Sequence, residues 1–155
     1  MLTIGEPAPD FTLAGIDPAT DERHDFTLSE FRGKPVVLVF YPGDNTPVCT
    51  RQLNSYTEDF EHFGDVGAQV LAISPQSVDS HREFSCRQGG FAFPMLADGD
   101  KEVGKAYGIL GPLGFYRRSS FVVGADGIIR YVHRAVAGIT FRSVDELVDA
   151  VRKAG

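Results

Sequence analysis

The 155-residue sequence predicts an α/β domain with a mixed sheet and helices on both faces, and three observations carry that expectation. Val36-Val37-Leu38-Val39-Phe40-Tyr41 and Gln69-Val70-Leu71-Ala72-Ile73-Ser74 are apolar, β-branched runs that suit central strands buried on both faces. Between them Leu53, Tyr56, Phe60 and Phe63 recur at helical spacing. Late in the chain, Ser119-Ser120-Phe121-Val122-Val123 and Ile128-Ile129-Arg130-Tyr131-Val132-His133 flank Asp126-Gly127, a strong hairpin signal. Strand–helix alternation followed by a hairpin implies parallel and antiparallel pairing in one sheet.

The elements follow in order. Prolines in Gly5-Glu6-Pro7-Ala8-Pro9 forbid helix, and Asp10-Phe11-Thr12-Leu13 then alternates as a short strand does. That strand is expected to pair with Phe26-Thr27-Leu28 across a polar loop at 17–25, giving an N-terminal strand extension. Residues 29–33 read as one helical turn closed by Gly33. After the first buried strand, Pro42-Gly43-Asp44-Asn45 is turn chemistry. Thr46-Pro47 supplies an N-cap and a proline at the first helical position, and the helix is expected to run to about Gly64. Residues 77–88 form a weakly amphipathic helix, 93–96 a short extended piece and 101–107 a short helix. A helix over 143–154 closes the chain, with Ser143 and Glu146 as a capping box. No repeat or linker divides the sequence, so one domain spanning 1–155 is expected.

Composition excludes several function classes. A net charge of −6 with no basic stripe leaves nothing to neutralise nucleic-acid phosphates. No run approaches the roughly 20 apolar residues of a membrane helix. The opening Met1-Leu2-Thr3-Ile4-Gly5-Glu6 lacks a basic stretch followed by an apolar one, so no signal peptide is expected and a cytoplasmic location is the default. Two cysteines in a chain of this length do not build a disulfide scaffold. Reactivity explains them better.

Cys49 falls in the first turn of the helix that follows a buried strand. Unsatisfied backbone N–H groups and the positive end of the helix dipole stabilise a thiolate there, and the thiolate is the nucleophile. Thr46, three residues earlier, can aim its hydroxyl into the same pocket, and Pro42 at the strand end would shield it from bulk water.

Phe40-Tyr41-Pro42-Gly43-Asp44-Asn45-Thr46-Pro47-Val48-Cys49-Thr50 resembles the active-site signature of peroxiredoxins, and its Asp-Asn-Thr-Pro segment resembles the peroxiredoxin Q, or bacterioferritin comigratory protein, branch. The likeness recurs at Gly5-Glu6-Pro7-Ala8-Pro9-Asp10-Phe11, at Phe91-Ala92-Phe93-Pro94-Met95-Leu96-Ala97-Asp98 and at Arg118-Ser119-Ser120-Phe121-Val122-Val123. It implies a thioredoxin-like fold and a thiol peroxidase that uses no metal or cofactor. By the same resemblance Cys49 would be the peroxidatic cysteine, and Thr46 with the backbone N–H groups of Val48 and Cys49 would hold the peroxide. Arg118 would stabilise the thiolate and polarise the O–O bond, and Arg117 is the lesser candidate. Two departures bear on substrate preference and rate. Gln52 stands where the family often has Glu, and Val48 where it often has glycine.

The resemblance also implies a role for Cys86. Many members of the branch carry a resolving cysteine five residues after the first, where this chain has Asn54. Ser80-His81-Arg82-Glu83-Phe84-Ser85-Cys86-Arg87-Gln88-Gly89 resembles the subgroup with the second cysteine on the following helix, which implies an intramolecular Cys49–Cys86 disulfide reduced by thioredoxin or glutaredoxin in a monomeric antioxidant enzyme. Independently, helical steps of 100° place Cys86 beside Asp79, Arg82 and Glu83 on the polar side, where a thiol has no packing reason to be. Joining the cysteines calls for local unwinding, with Gln88-Gly89-Gly90 as the hinge.

Other readings use the same residues. An external thiol would resolve Cys49 directly, or the pair would act as a peroxide-sensing relay. A thioredoxin-type oxidoreductase lacks its second cysteine in Cys49-Thr50-Arg51-Gln52. A metal module drawing on His24, His62, His81 and His133 lacks ligand spacing, and these histidines read as solvated surface residues. Phe91, Phe93, Phe115 and Tyr116 read mainly as packing, and the glycine-rich stretch 108–114 as a flexible surface loop.

Overall fold

A computed structural model describes residues 2–111, 114–135 and 141–154. Pro112 and Leu113 of the glycine-rich stretch lie outside the described residues. The strands are β1 (Thr12–Asp17), β2 (Glu22–Thr27), β3 (Val36–Phe40), β4 (Gln69–Ser74), β5 (Met95–Ala97), β6 (Ser119–Val123) and β7 (Ile129–Arg134). The helices are α1 (Pro47–Glu58), α2 (Phe60–Asp65), α3 (Val78–Arg87), α4 (Glu102–Ala106) and α5 (Val144–Ala154), with a 3₁₀ turn at Leu28–Phe31. One seven-stranded sheet has the order β2-β1-β5-β4-β3-β6-β7. β3, β4 and β5 pair in parallel, and every other pairing is antiparallel.

The two apolar runs are the centre of this sheet. All five residues of β3 are buried, because the strand has hydrogen-bonded neighbours on both edges and helices or loops over both faces. Alternate side chains sort into two cores. Val37 and Val39 join Leu53, Tyr56, Phe63, Phe84 and the Val144–Val151 face of α5. Val36, Leu38 and Phe40 join Val103, Tyr107, Tyr116 and Phe121 on the other side. α1, α2, α3 and α5 thus cover one face, and α4 with the 3₁₀ turn the other.

Four local expectations change. The helix expected to run to Gly64 breaks at Asp59 (φ −105°, ψ 21°), and the apolar stripe continues onto the separate helix α2. Residues 17–25 are not a long loop. β1 reaches Asp17 and β2 starts at Glu22, with a tight turn between them where Thr20 N–H donates to Asp17 O. β2 looks polar because it is an edge strand exposed over its first four residues, and charges on an edge discourage pairing with other chains. The Asp126-Gly127 hairpin forms with a longer loop, closed by Gly124 N–H to Ile128 O and by Gly127 at φ +83°. Of the Ser143–Glu146 box only half forms. Ser143 Oγ accepts from Glu146 N–H at 3.2 Å, while the Glu146 carboxylate turns to Tyr131.

Candidate active site

β3 ends at the buried centre of the sheet, and Tyr41, which is fully buried, continues it. The chain then turns through Pro42–Asn45, with Asn45 in the left-handed region at φ +62°, before α1 starts at Pro47. This turn sets the first turn of α1 over the end of the sheet. Cys49, at the third position of α1, is completely buried.

Arg118 comes from the start of β6, which pairs with β3. It is 4% exposed, and its Nη2 donates to Cys49 Sγ at 3.2 Å while Nη1 donates to Gln52 Oε1 at 2.5 Å. Residues 69 positions apart in sequence thereby share one site. The neighbouring Arg117 donates instead to Ala135 O at 3.3 Å. A guanidinium keeps its charge and offers donors in a plane, so one fork can hold a sulfur anion and an amide oxygen together.

Gln52 extends the arrangement. Its Nε2 donates to Tyr56 Oη at 3.3 Å, and Tyr56 Oη donates to Arg142 O at 2.7 Å. Burial pushes the Tyr56 phenol up to about 12. Arg118 is thus braced through α1 to the segment that precedes α5.

Thr46 takes the N-cap position, yet its side chain does not cap the helix. Its Oγ1 donates to Gly43 O at 3.0 Å. The first-turn N–H groups at Val48 and Cys49 are left uncapped by Thr46. Pro42 and Val48 are half-buried, while Thr46 is exposed.

Cys86 occupies the last turn of α3 as an exposed free thiol, and Cys49 is also free. α3 buries His81, Phe84 and Ser85, which puts Cys86 on the outer side as the helical wheel requires. Beyond it Gly89 and Gly90 lie in the left-handed region at φ +86° and +97°. Cys86 also lines a cavity of about 320 Å³ shared with Ile16, Pro18, Arg82, Gly89 and Gly90.

Sequence reasoning missed the group beneath the loop. His81, read as a solvated surface residue, is completely buried. Its Nδ1 lies 2.7 Å from Asp44 Oδ2 and its Nε2 2.9 Å from Leu96 O. Tyr41 Oη donates to Asp44 Oδ1 at 2.7 Å. Burial first, and then the Asp44 carboxylate, hold the Tyr41 phenol well above its ordinary range. A signal existed, since His81 stands three and four residues before Phe84 and Ser85 and so shares their core-facing stripe. Phe91 and Phe93 stack within the core at 6.0 Å, whereas Phe115 is 66% exposed. Among the described residues no cluster of three or more metal-ligating side chains forms, and no helix is long and apolar enough to cross a membrane.

The sequence profile of the AhpC/TSA family matches residues 4–132, which takes in the β3–α1 turn, both cysteines and Arg118. The chain belongs to the AhpC/TSA family. Its curated relatives are peroxiredoxins. The selenocysteine-containing peroxiredoxin PrxU of Peptoclostridium acidaminophilum is 39% identical over 84% of this chain and 66% of its own length. The chloroplastic peroxiredoxin Q of Oryza sativa subsp. japonica is 34% identical over 85% of this chain and 59% of its own. The chain therefore spans less than two thirds of these relatives. Mycobacterium tuberculosis AhpC superposes with a TM-score of 0.88 at 28% identity, covering 99% of this chain and 98% of that one. The chain accordingly has the thioredoxin-like fold of its neighbours, with β1 and β2 pairing antiparallel at one edge of the sheet.

Proposed function

We propose that this chain is a thiol peroxidase that reduces hydrogen peroxide and organic hydroperoxides with Cys49 as the nucleophile. The single observation behind this reading is the Arg118 guanidinium 3.2 Å from a buried sulfur at a helix start. A fixed positive charge beside one sulfur suits a nucleophile there and can hold the developing oxyanion of the peroxide. Family membership and the names of the relatives agree with it.

The Cys49 thiolate attacks one peroxide oxygen, the O–O bond breaks, and the departing oxygen takes a proton to leave as water or an alcohol. A sulfenic acid remains on Cys49. The Cys86 thiolate then attacks the Cys49 sulfur, an S–S bond forms, the S–O bond breaks, and hydroxide leaves as water on protonation. Two electrons from a dithiol, thioredoxin or glutaredoxin in this reading, restore both thiols. Burial of Cys49 and exposure of Cys86 fit this division, since the first meets a small peroxide and the second a protein reductant. With Cys49 buried and Cys86 on the outer side of α3, closure calls for α3 to unwind at its glycine-flanked end.

The test adds one equivalent of hydrogen peroxide and weighs the intact protein. The parent should become two hydrogens lighter, and Cys86→Ser one oxygen heavier. A stable sulfenic acid in the parent would remove Cys86 from the cycle, and undiminished peroxide consumption by Cys49→Ser would overturn the peroxidase reading itself.

A further inference from the structure

The Asp44–His81 pair takes no part in the chemistry above, yet it joins the two segments that carry the thiols. Asp44 precedes Cys49 by five residues on the β3–α1 turn, and His81 precedes Cys86 by five on α3. Both side chains are essentially inaccessible, at 0% and 1% exposure for His81 and Asp44.

Hydrogen-bond inventory fixes how many protons they hold. Leu96 O can only accept, so Nε2 of His81 carries a hydrogen. As a carboxylate, Asp44 Oδ2 also only accepts, and it already receives the Ser80 hydroxyl at 2.7 Å. A contact of 2.7 Å between it and Nδ1 therefore needs one more proton between them. Without that proton a ring lone pair would face a carboxylate oxygen out of reach of water, and an uncompensated buried charge of that kind is strongly destabilising. The other groups facing the ring are Tyr41, whose Oη donates to the second Asp44 oxygen and lies 3.3 Å from Nδ1, and the Leu96 carbonyl of β5. The charged neighbours on α3 point away, Asp79 to Arg23 and Arg82 to Asp21, with Glu83 exposed to solvent. Two further ties reinforce the first, since the Ser80 hydroxyl of α3 donates to Asp44 Oδ2 and Asp44 N–H donates at 2.9 Å to Oε1 of Gln76, just before α3.

We propose that the Asp44–His81 pair is a proton-holding latch that keeps helix α3 and the Cys49 loop in the peroxide-reactive arrangement, and that its opening governs the approach of Cys86 to Cys49. The proposal rests on the Cys49–Cys86 disulfide reading. While the latch is shut, Cys49 stays under Arg118 and meets peroxide. When it opens, α3 loses its hold on the loop and unwinds far enough for the sulfurs to meet. These two residues are positioning residues and touch neither peroxide nor sulfur.

The chain has no tryptophan to report on closure, so the test is quench-flow after one equivalent of hydrogen peroxide, with thiol blocking and mass spectrometry to count thiol, sulfenic acid and disulfide separately. His81→Gln keeps a donor for Leu96 O and loses the bond to Asp44, while Asp44→Asn is nearly isosteric and removes the charge. Each should speed disulfide closure by about tenfold, the worth of one charge-assisted buried bond. The double variant should go no faster, because both changes open the same latch. Closure in the parent with parent-like or slower rates in Asp44→Asn overturns the latch and leaves the disulfide reading standing, even if His81→Gln fails to fold. Absence of any disulfide in the parent overturns the underlying reading, and the latch with it.

Discussion

Cys49 and Cys86 are the same chemical group in two opposite settings. Cys49 sits in the core at the start of α1, under a guanidinium braced by Gln52 and Tyr56. Cys86 sits on the surface at the end of α3, followed by two glycines in conformations that other residues rarely adopt. A nucleophile that must stabilise developing charge needs fixed dipoles and few degrees of freedom, and a close-packed core supplies both. A thiol that must travel needs the reverse. In the proposed cycle the fold divides one reaction between a buried thiol at the sheet end and an exposed thiol at the end of α3, a turn tied to α1 where Asn54 Nδ2 donates to Gln88 Oε1 at 2.9 Å.

Four experiments break or sharpen that contrast. The largest effect is expected from Arg118→Met, which keeps the bulk and removes the charge beside Sγ. The rate of the first peroxide turnover should fall by about 10²-fold, comparable to removing an oxyanion donor, as read by quench-flow with intact mass. A rate within twofold of the parent would mean that the rigid setting of Cys49 is irrelevant to its chemistry.

Cys86→Ser should act in the opposite pattern. The first turnover should be unchanged, while steady-state turnover with a thioredoxin system drops by at least about tenfold for want of a disulfide to reduce. An equal loss in both measurements would show that the two thiols do not work separately. Thr46→Val is expected to be milder. Thr46 Oγ1 already donates to Gly43 O, so its removal loosens the turn and one rim hydrogen bond, and the first turnover should slow by about fivefold.

The smallest effect tests how rigid the Cys49 side is. Tyr56→Phe removes the donor to Arg142 O, and its midpoint in urea should correspond to a loss of about 1–2 kcal/mol at pH 7. Its pH dependence has a definite sign. The folded phenol titrates at about 12 and the unfolded one near 10, so the native state binds more protons between those values and stability falls as pH rises through that window. Replacing Tyr56 with Phe should flatten that alkaline fall. An unchanged slope would show that Tyr56 is not held in the fold as described.

Much of this was legible without coordinates, for identifiable reasons. β3 and β4 are buried on both faces, and burial on both faces writes an uninterrupted apolar run. Cys49 could be placed because Thr46-Pro47 marks a helix start right after such a run. Cys86 could be placed on the outer side of α3 by angle alone. β2 escaped because an edge strand with exposed faces is written in charges, which resemble a loop. The break at Asp59 escaped because the apolar spacing runs through it.

His81 marks the boundary most clearly. Histidine is equally at home in water and in a satisfied core, so its identity says nothing until Asp44, Ser80 and Leu96 are seen around it. Local chemistry, which depends on neighbours along the chain, is determined by the sequence alone, and it placed the strands, the helix start and the candidate nucleophile. That Arg118 stands over that sulfur was implied by family resemblance alone, and the buried pair that ties its loop to α3 was not legible; both depend on the order in which strands pair. Only the tertiary structure decided those, because pairing β6 with β3 carries Arg118 across 69 residues of chain to within hydrogen-bonding distance of a sulfur.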